Sequence, residues 1–387
     1  METVTGLVLS GGGARAAYQA GVLQGILRVF KTRAEPHPCY FSVITGFSAG
    51  AINGAFLAAR IDRMETAVAE LWKFWESVTT EKIFRTNVGN LTGIGLRWLG
   101  SLISSGSLSK APTALLDTGP LKELIPKIIS FEDIANNVRK GCIRGIAVSA
   151  THYHSGATVT FFDGKTATES YEHSLYKTVN TRLMKEHVLA SCAIPIVFPA
   201  VSIDGSYFGD GGIRFSTPLS PAIHLGAERI LAIGIRHKNS GFDAEELTFK
   251  KRPEPTLADI AGVVLDSVFM EALETDVSRA KRMNQLAEAR LQGQKDASSP
   301  RRIFQKVPIL LIQPSEDLGL LAYRLYKRFP AALKYLLRGV GATPERGSDF
   351  LSYLAFDKSY TRRLLKLGYA DALSRKREIL EFFSSPL

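Results

Sequence analysis

The feature that most constrains this chain is the order of elements in its first ~60 residues. Leu7–Ser10 is a short apolar run that stops at Gly11, Gly12 and Gly13, which reads as a buried strand entering a tight loop. From Ala16 to Phe30 the apolar residues Ala20, Leu23, Ile26 or Leu27, and Phe30 fall at helical spacing, so a helix follows. Glu35-Pro36-His37-Pro38 is a loop. Phe41–Thr45 reads as a second strand, and Ala49–Ala59, small and apolar all round, as a buried helix. Strand, loop, helix, strand, turn, helix is the opening of a parallel α/β sheet.

A helix is expected over Glu65–Ser77, and further strands at Ile143–Ser149, Thr158–Phe162, Ile196–Ile203, Ile230–Ile235 and Pro308–Ile312. Asn87 to Thr118, rich in Gly, Ser and Leu, reads either as an excursion over a pocket or as a surface insertion. Lys238–Thr256 and Gln292–Arg302 read as polar loops. From Ser315 the chain is helical. Leu318, Leu321, Leu325 and Phe329 share one face, with Arg324, Lys327 and Arg328 elsewhere and Lys334 and Arg338 beyond. That pattern suits a helix on a membrane surface or one packed on its own domain. The expected organisation is an α/β domain over 1–314 and a helical extension over 315–387, packed on it or contacting membrane.

The 387 residues are 45% hydrophobic, enough for a sizeable core. Cys39, Cys142 and Cys192 are odd in number and lack paired spacing, which argues against a disulfide framework or a zinc site and for a reducing, cytoplasmic compartment. No metal and no cofactor are expected. The net charge of +11 attracts polyanions. With no motif for reading nucleic acid, the expected partner is the anionic face of a membrane; plain solubility is the other reading. The first residues do not resemble a signal peptide, and no run of ~20 apolar residues suggests a membrane span.

Gly46-Phe47-Ser48-Ala49-Gly50 fits G-x-S-x-G between an expected strand and an expected helix. There a serine sits on a sharp turn with its hydroxyl projecting above the sheet, near the helix N-terminus. Ser10-Gly11-Gly12-Gly13-Ala14-Arg15 ends the neighbouring strand. Parallel strands share one edge at their C-terminal ends, so this loop can approach Ser48 and aim backbone N–H groups at a developing oxyanion. Arg15 either fixes the loop, adds positive potential, or makes only a structural ion pair. Gly11, Gly13 and Ala16 also satisfy a dinucleotide fingerprint, but its acidic residue should end the second strand, and Glu35 precedes it.

A nucleophilic serine needs a base. Seven histidines are available, His37, His152, His154, His173, His187, His224 and His237; the alternative is a carboxylate whose proton affinity rises in a dry pocket. Asp204-Gly205 lies between two apolar runs and suits a hairpin turn. Asp210 follows the second run, where Gly211 and Gly212 leave room for it to reach across. Asp204 is therefore assigned to the turn and Asp210 to the base.

Together these three segments resemble the patatin-like phospholipase family. Its pattern is a G-G-G-x-[RK] loop, a G-x-S-x-G elbow and a later D-G-[GA], here Gly11–Arg15, Gly46–Gly50 and Asp210–Gly212. The resemblance implies a three-layer α/β/α sandwich with a mostly parallel sheet. It further implies phospholipase A-like or lysophospholipase-like cleavage of glycerolipid acyl esters by a Ser48–Asp210 dyad, with Gly11, Gly12 and Gly13 as the oxyanion loop and Arg15 at the family's basic position. Two departures stand out. Ala16 occupies a position often held by glycine, and Phe47 replaces a small residue before the serine, which would narrow the pocket. Competing readings are an acyltransferase or short-chain carboxylesterase with the same dyad, and a non-catalytic lipid- or dinucleotide-binding module.

Overall fold

The computed structural model describes residues 3–32, 41–85, 114–165, 175–237, 254–269, 271–293, 306–339, 341–343 and 347–384. Strand β1 (Thr5–Leu9) runs through a single 3₁₀ turn (Gly13–Ala16) into helix α1 (Ala17–Phe30). Strand β2 (Val43–Phe47) is followed by α2 (Ala49–Ala58), α3 (Met64–Ser77) and the short α4 (Thr80–Ile83). Helices α5 (Gly119–Ile128) and α6 (Phe131–Lys140) precede β3 (Gly145–His152), β4 (Thr158–Gly164) and β5 (Tyr176–Asn180). Next come α7 (Lys185–Ser191), a hairpin of β6 (Val201–Ile203) and β7 (Ser206–Asp210), α8 (Ser220–His224) and β8 (Arg229–Ile233). Helices α9 (Leu257–Phe269) and α10 (Glu271–Gly293) lead to β9 (Ile309–Ile312). The chain closes with α11 (Leu318–Leu325), α12 (Ala331–Gly339), α13 (Ser348–Leu354), α14 (Lys358–Ser374) and α15 (Lys376–Ser384).

The strands form one sheet in the order β5-β4-β3-β2-β1-β8-β9. From β3 to β9 all neighbours are parallel. Strand β4 is antiparallel to β3 and parallel to β5, and the β6–β7 hairpin joins β3 antiparallel. The interior strands are buried end to end because both faces are covered, as a parallel sheet requires. Alternation sorts their side chains into two cores. Leu7, Leu9, Ile44, Ile146, Val148, Leu231 and Ile233 enter the larger one, shared with α1, α2, α3 and α14. Val8, Val43, Ala147, Ile230 and Ala232 face the other, closed by Leu219 and Ala222 beside and within α8 and by Leu273 and Val277 of α10. The architecture is the mostly parallel α/β sheet with helices around it that the sequence implies, with further helices at the C-terminal end.

The last helices are packed closely on the first. A Cβ at Gly21 of α1 would run into the Leu365 carbonyl of α14, and one at Gly368 into the Tyr18 carbonyl, so the two backbones touch where both lack side chains. The Tyr18 hydroxyl donates to Asp371 at 3.0 Å. Helix starts are written locally: Ser130 caps α6, Asp317 caps α11 and Asp357 caps α14.

Several expectations need correction. The second strand is shifted two residues and runs to Phe47, directly against the serine. Only Val201–Ile203 of the expected Ile196–Ile203 strand is extended in the sheet. Pro195 and Pro199 carry no N–H for a ladder, and Ile196 has φ of 68°; Ile196 and Val197 accept instead from Leu115 and Leu116 at 2.8 and 2.9 Å. Leu318, Leu321 and Phe329 are buried, so the apolar stripe beyond Ser315 packs on the chain's own core, which is one of the two readings of that pattern. Strand β5 and helices α9 and α10 were not read from the sequence. Most of the Asn87–Thr118 and Lys238–Thr256 segments, Gln292–Arg302 beyond residue 293, and also Glu35, His37, Cys39 and His173 lie outside the described residues.

Candidate active site

Strand β3 is the ruler that brings the serine and the aspartate together. Its Ser149 pairs with Phe47 of β2, and its next residue, Ala150, pairs with Asp210 of β7. Strand β2 thus ends one register position before β7 begins along the same side of β3. Ser48, immediately after Phe47, therefore faces the end of β7. Asp204 (φ 49°) and Gly205 (φ 79°) make the two-residue turn that returns β6 into β7.

Ser48 has φ 53° and ψ −133°, outside the ordinary regions, and stands at the N-terminus of α2. Such a conformation costs ~1–3 kcal/mol and persists only when its surroundings enforce it. Gly46 and Gly50 permit the sharp turn, since a Cβ on Gly46 would stand 2.5 Å from the Gly50 carbonyl oxygen. The enforcing contacts come from the end of α7. The Ser48 amide donates to Ser191 Oγ at 2.9 Å, and that hydroxyl donates onward to the Ser149 carbonyl at 2.6 Å. The buried Cys192 thiol donates to the Ser48 carbonyl at 3.0 Å.

Asp210 is fully buried. Its backbone is fixed by the Ala193 carbonyl at 2.9 Å and the Thr151 hydroxyl at 2.8 Å. Oδ1 accepts from the Gly212 amide at 2.9 Å, while Oδ2 is buried with no strict hydrogen-bond partner among the described residues. Burial pushes the carboxyl up to about 7, against the opposing influence of the nearby Ser48 hydroxyl and the Gly212 amide. The serine is thus close enough to favour the charged carboxylate without closing a well-formed bond, a spacing common before substrate arrives. The same neighbourhood raises Tyr153 and Cys192, chiefly by burial and then by Asp210.

The glycine loop lies against this pair. A Cβ on Gly11 would stand 2.9 Å from Ser48 Cβ and 2.7 Å from the Phe269 ring. Among the described residues, no acceptor engages the Gly11 or Gly12 amides. Gly13 opens the 3₁₀ turn, Gly211 backs onto the Ser149 carbonyl, and Gly212 lies beneath Phe269. A buried polar chain ties loop to elbow: Gln19 donates to the Ser10 carbonyl at 2.8 Å, Asn53 of α2 to Gln19 at 2.9 Å, and Trp75 to Asn53 at 2.8 Å.

Arg15 fixes the loop from the far side. Its buried guanidinium donates to Ser352 at 2.6 Å, Asp349 at 2.9 Å and Asp266 at 3.2 Å, and stacks 4.1 Å over the Tyr353 ring. Burial alone would lower its pKa; Tyr353, Asp266 and Asp349 hold it above the ordinary value. Asp266 itself is raised to about 6, by burial first, with Arg15 opposing. Phe47 is 1% exposed and packs edge-on against Phe215 at 5.4 Å, so it is core beneath the loop rather than a wall of an open pocket.

No histidine among the described residues hydrogen-bonds to Ser48. His152 pairs with Ser155, His187 accepts from the Met184 amide and His237 pairs with the Ser315 carbonyl. His154 stacks near His152, and His224 borders a separate hollow. Among the described residues no group of three or more His, Cys, Asp or Glu is arranged to hold a metal ion.

A family model described as patatin-like phospholipase matches residues 7–223. The chain belongs to the patatin-like phospholipase family. The matched span contains the glycine loop, the serine elbow and Asp210 and stops short of α9. No match was found among curated proteins. Similar solved structures include VipD from Legionella pneumophila (13% identity, 97% of this chain and 67% of that one, TM-score 0.32). A human GIVD cytosolic phospholipase A2 in complex with methyl gamma-linolenyl fluorophosphonate is 12% identical, with 98% of this chain and 59% of that one covered and a TM-score of 0.41. ExoU from Pseudomonas aeruginosa, in complex with SpcU, is 16% identical over 96% of this chain and 77% of that one, with a TM-score of 0.25. This chain spans only 59% of the human phospholipase's length.

Sequence reasoning missed Gln19, Asn53, Ser191, Cys192, Asp266 and Phe269. Asn53 carried a signal, as the one polar residue in Ala49–Ala59. The others are ordinary residues in helices, or in the turn that ends one, until the chain folds.

Proposed function

We propose that the protein is a serine lipid acyl hydrolase of phospholipase A or lysophospholipase type, with Ser48 as nucleophile and Asp210 as base. The observation that carries this reading is the register of β3, which brings a strained serine near a dry carboxylate whose Oδ2 has no close hydrogen-bond partner among the described residues. Membership of the family supplies the substrate class. In the proposed reaction Ser48 Oγ attacks the ester carbonyl carbon and its proton passes to Asp210. The Gly11–Gly13 amides stabilise the tetrahedral oxyanion, each well-placed donor contributing ~3 kcal/mol. The carbon–oxygen bond to the glycerol breaks, and Asp210 returns the proton to the departing alcohol. Asp210 next takes a proton from water, whose oxygen attacks the acyl-serine carbonyl; the acyl–Oγ bond breaks, Asp210 returns the proton to Ser48 Oγ, and the fatty acid leaves. A carboxylate titrating near neutrality suits both directions of proton transfer.

The test is covalent labelling with an alkyl fluorophosphonate, alongside fatty-acid release from mixed lipid vesicles. Labelling is expected in the native chain and absent in Ser48→Ala. Asp210→Asn should lower turnover by about a thousandfold or more while the fold persists. Full turnover in either variant would refute the dyad. Loss of acylation on replacing one histidine would move the base to that residue.

A further inference from the structure

Helix α9 carries an exposed apolar face. Leu257, Ile260, Val263 and Val264 are 72, 51, 71 and 55% exposed. With 3.6 residues per turn they fall, together with Ser267, on one stripe about a third of the way round the helix. The opposite stripe, Ala258, Leu265 and Phe269, is buried. A helix that faced only water would carry polar groups where these four aliphatic side chains stand.

The stripe has carboxylates on one side, where the hollow lined by Val263 and Ser267 also holds Asp266, Glu271, Asp317 and Asp349 with Arg15 and Arg236, and a basic segment on the other. From Leu318 to Pro344 the chain carries Arg324, Lys327, Arg328, Lys334 and Arg338 and no Asp or Glu. Arg324, Lys327, Arg328 and Arg338 are exposed, as are Leu320, Tyr323 and Tyr335 between them. This segment meets α9 at the start of its exposed stripe and borders a hollow shared with the stripe's middle. Gly341, just past α12, packs on Thr256, the residue before α9. Leu318 of α11 and Val263 of α9 line the same hollow. Aliphatic side chains beside exposed cations match a surface with an apolar interior and anionic headgroups.

Helix α9 also reaches the catalytic end of the sheet. Phe269 lies against Gly11 and Gly212, and Asp266 holds Arg15. We infer that the outer face of α9, with the basic α11–α12 segment beside it, is the surface that docks on an anionic lipid bilayer. The choice of a lipid occupant rests on the acyl hydrolase reading. Docking here sets the glycine loop next to the bilayer from which an ester is drawn.

The test uses full-length Ser48→Ala protein, so that vesicles stay intact, in flotation with phosphatidylcholine vesicles and with vesicles holding roughly 30% phosphatidylserine. Binding is expected to be about tenfold tighter to the anionic vesicles and to weaken between about 0.1 and 0.5 M salt. Leu257→Gln/Val263→Gln/Val264→Gln should weaken anionic-vesicle binding by about tenfold or more. Arg324→Gln/Arg328→Gln/Arg338→Gln should abolish the preference for anionic vesicles. With Ser48 restored, both sets should keep native thermal midpoints and native hydrolysis of soluble p-nitrophenyl butyrate. Leu257→Gln and Val263→Gln are also made singly, so that a folded variant reads the face whatever the triple variant does.

Native-strength flotation of the α9 variants overturns the inference, as does absence of flotation by the parent protein. A dimer in light scattering that the α9 variants dissolve assigns the stripe to a second copy. Crosslinks from α9 to residues 86–113 or 238–253 that vesicles leave unchanged assign it to the chain's own segments. Flotation without any ester or lipid hydrolysis in the native chain removes the acyl hydrolase reading and leaves docking standing; ester hydrolysis without flotation does the reverse.

Discussion

The serine elbow and the glycine loop face each other across one site and are held by opposite kinds of chemistry. The elbow is secured by neutral groups in the dry interior: the Ser191 hydroxyl, the Cys192 thiol and the backbone of β3. The loop is secured by a buried cation reaching to Asp266, Asp349 and Ser352, more than 250 residues along the chain, with both carboxylates partly open to solvent. Neutral bonds in the core hold a strained serine whatever the pH. A guanidinium held by partly wet carboxylates makes the loop depend on the C-terminal helices and on the ionisation of its partners.

The strongest way to break that contrast is Arg15→Ala. Because Asp266 and Asp349 keep partial access to water, loss of the guanidinium should cost about 1.5–3 kcal/mol, less than for a fully buried pair, and the loop should lose its alignment with Ser48, lowering kcat by at least about a hundredfold. The loss of stability should grow with pH. Asp266 stands near 6 in the folded chain, above its ordinary 3.8. Its ionisation therefore opposes folding as pH rises between those values, and without Arg15 that opposition deepens. Urea unfolding at pH 5 and pH 8 measures it; an equal deficit at both would remove the electrostatic account.

The pair itself gives the next effect. In the proposed mechanism Asp210 must be ionised to accept a proton, so kcat/KM should fall about tenfold per pH unit below about 7, a hundredfold by pH 5. The stability effect has the opposite sense. Because the folded carboxyl titrates near 7 and the ordinary value is 3.8, the native state keeps its proton while the unfolded chain has lost it, and stability falls between those limits as pH rises. Asp210→Asn should therefore be more stable than the native chain at pH 8, by roughly 2–4 kcal/mol, with the advantage vanishing near pH 4. Inactivity combined with this gain would mark a site strained for function.

On the elbow side the effects should be smaller and independent of pH. Ser191→Ala strips the Ser48 amide of its acceptor, a loss of about 1–3 kcal/mol, with kcat falling and KM little changed. Cys192→Ala removes a weak donor and should cost about 1 kcal/mol. If either deficit followed pH between 5 and 8 as Arg15→Ala is expected to, the distinction between the two supports would collapse.

Much of the site was legible because its local geometry demands particular residues. A turn that lifts a serine over a sheet needs Gly46 and Gly50, and a hairpin that delivers Asp210 is marked by Asp204-Gly205. The supports were illegible because Ser191 and Asp266 sit in helices, and Cys192 in the turn just past one, where nothing in their immediate neighbours requires them. Strand β5 went unread because it lies at the sheet edge, half exposed on both faces, and shows no clean alternation.

By itself, the sequence determined the order of strands and helices at the start of the chain, the serine turn, the glycine loop and the pairing of Asp-Gly with a hairpin. These are consequences of backbone sterics and of which side chains prefer to leave water. The tertiary structure decided which partners met: that β7 continues where β2 stops, that Arg15 is held by α9 and α13, and that among the described residues the stripe on α11 is covered while the stripe on α9 is exposed. Periodicity says which side of a helix is apolar. Only the packing of distant segments says whether anything lies against it.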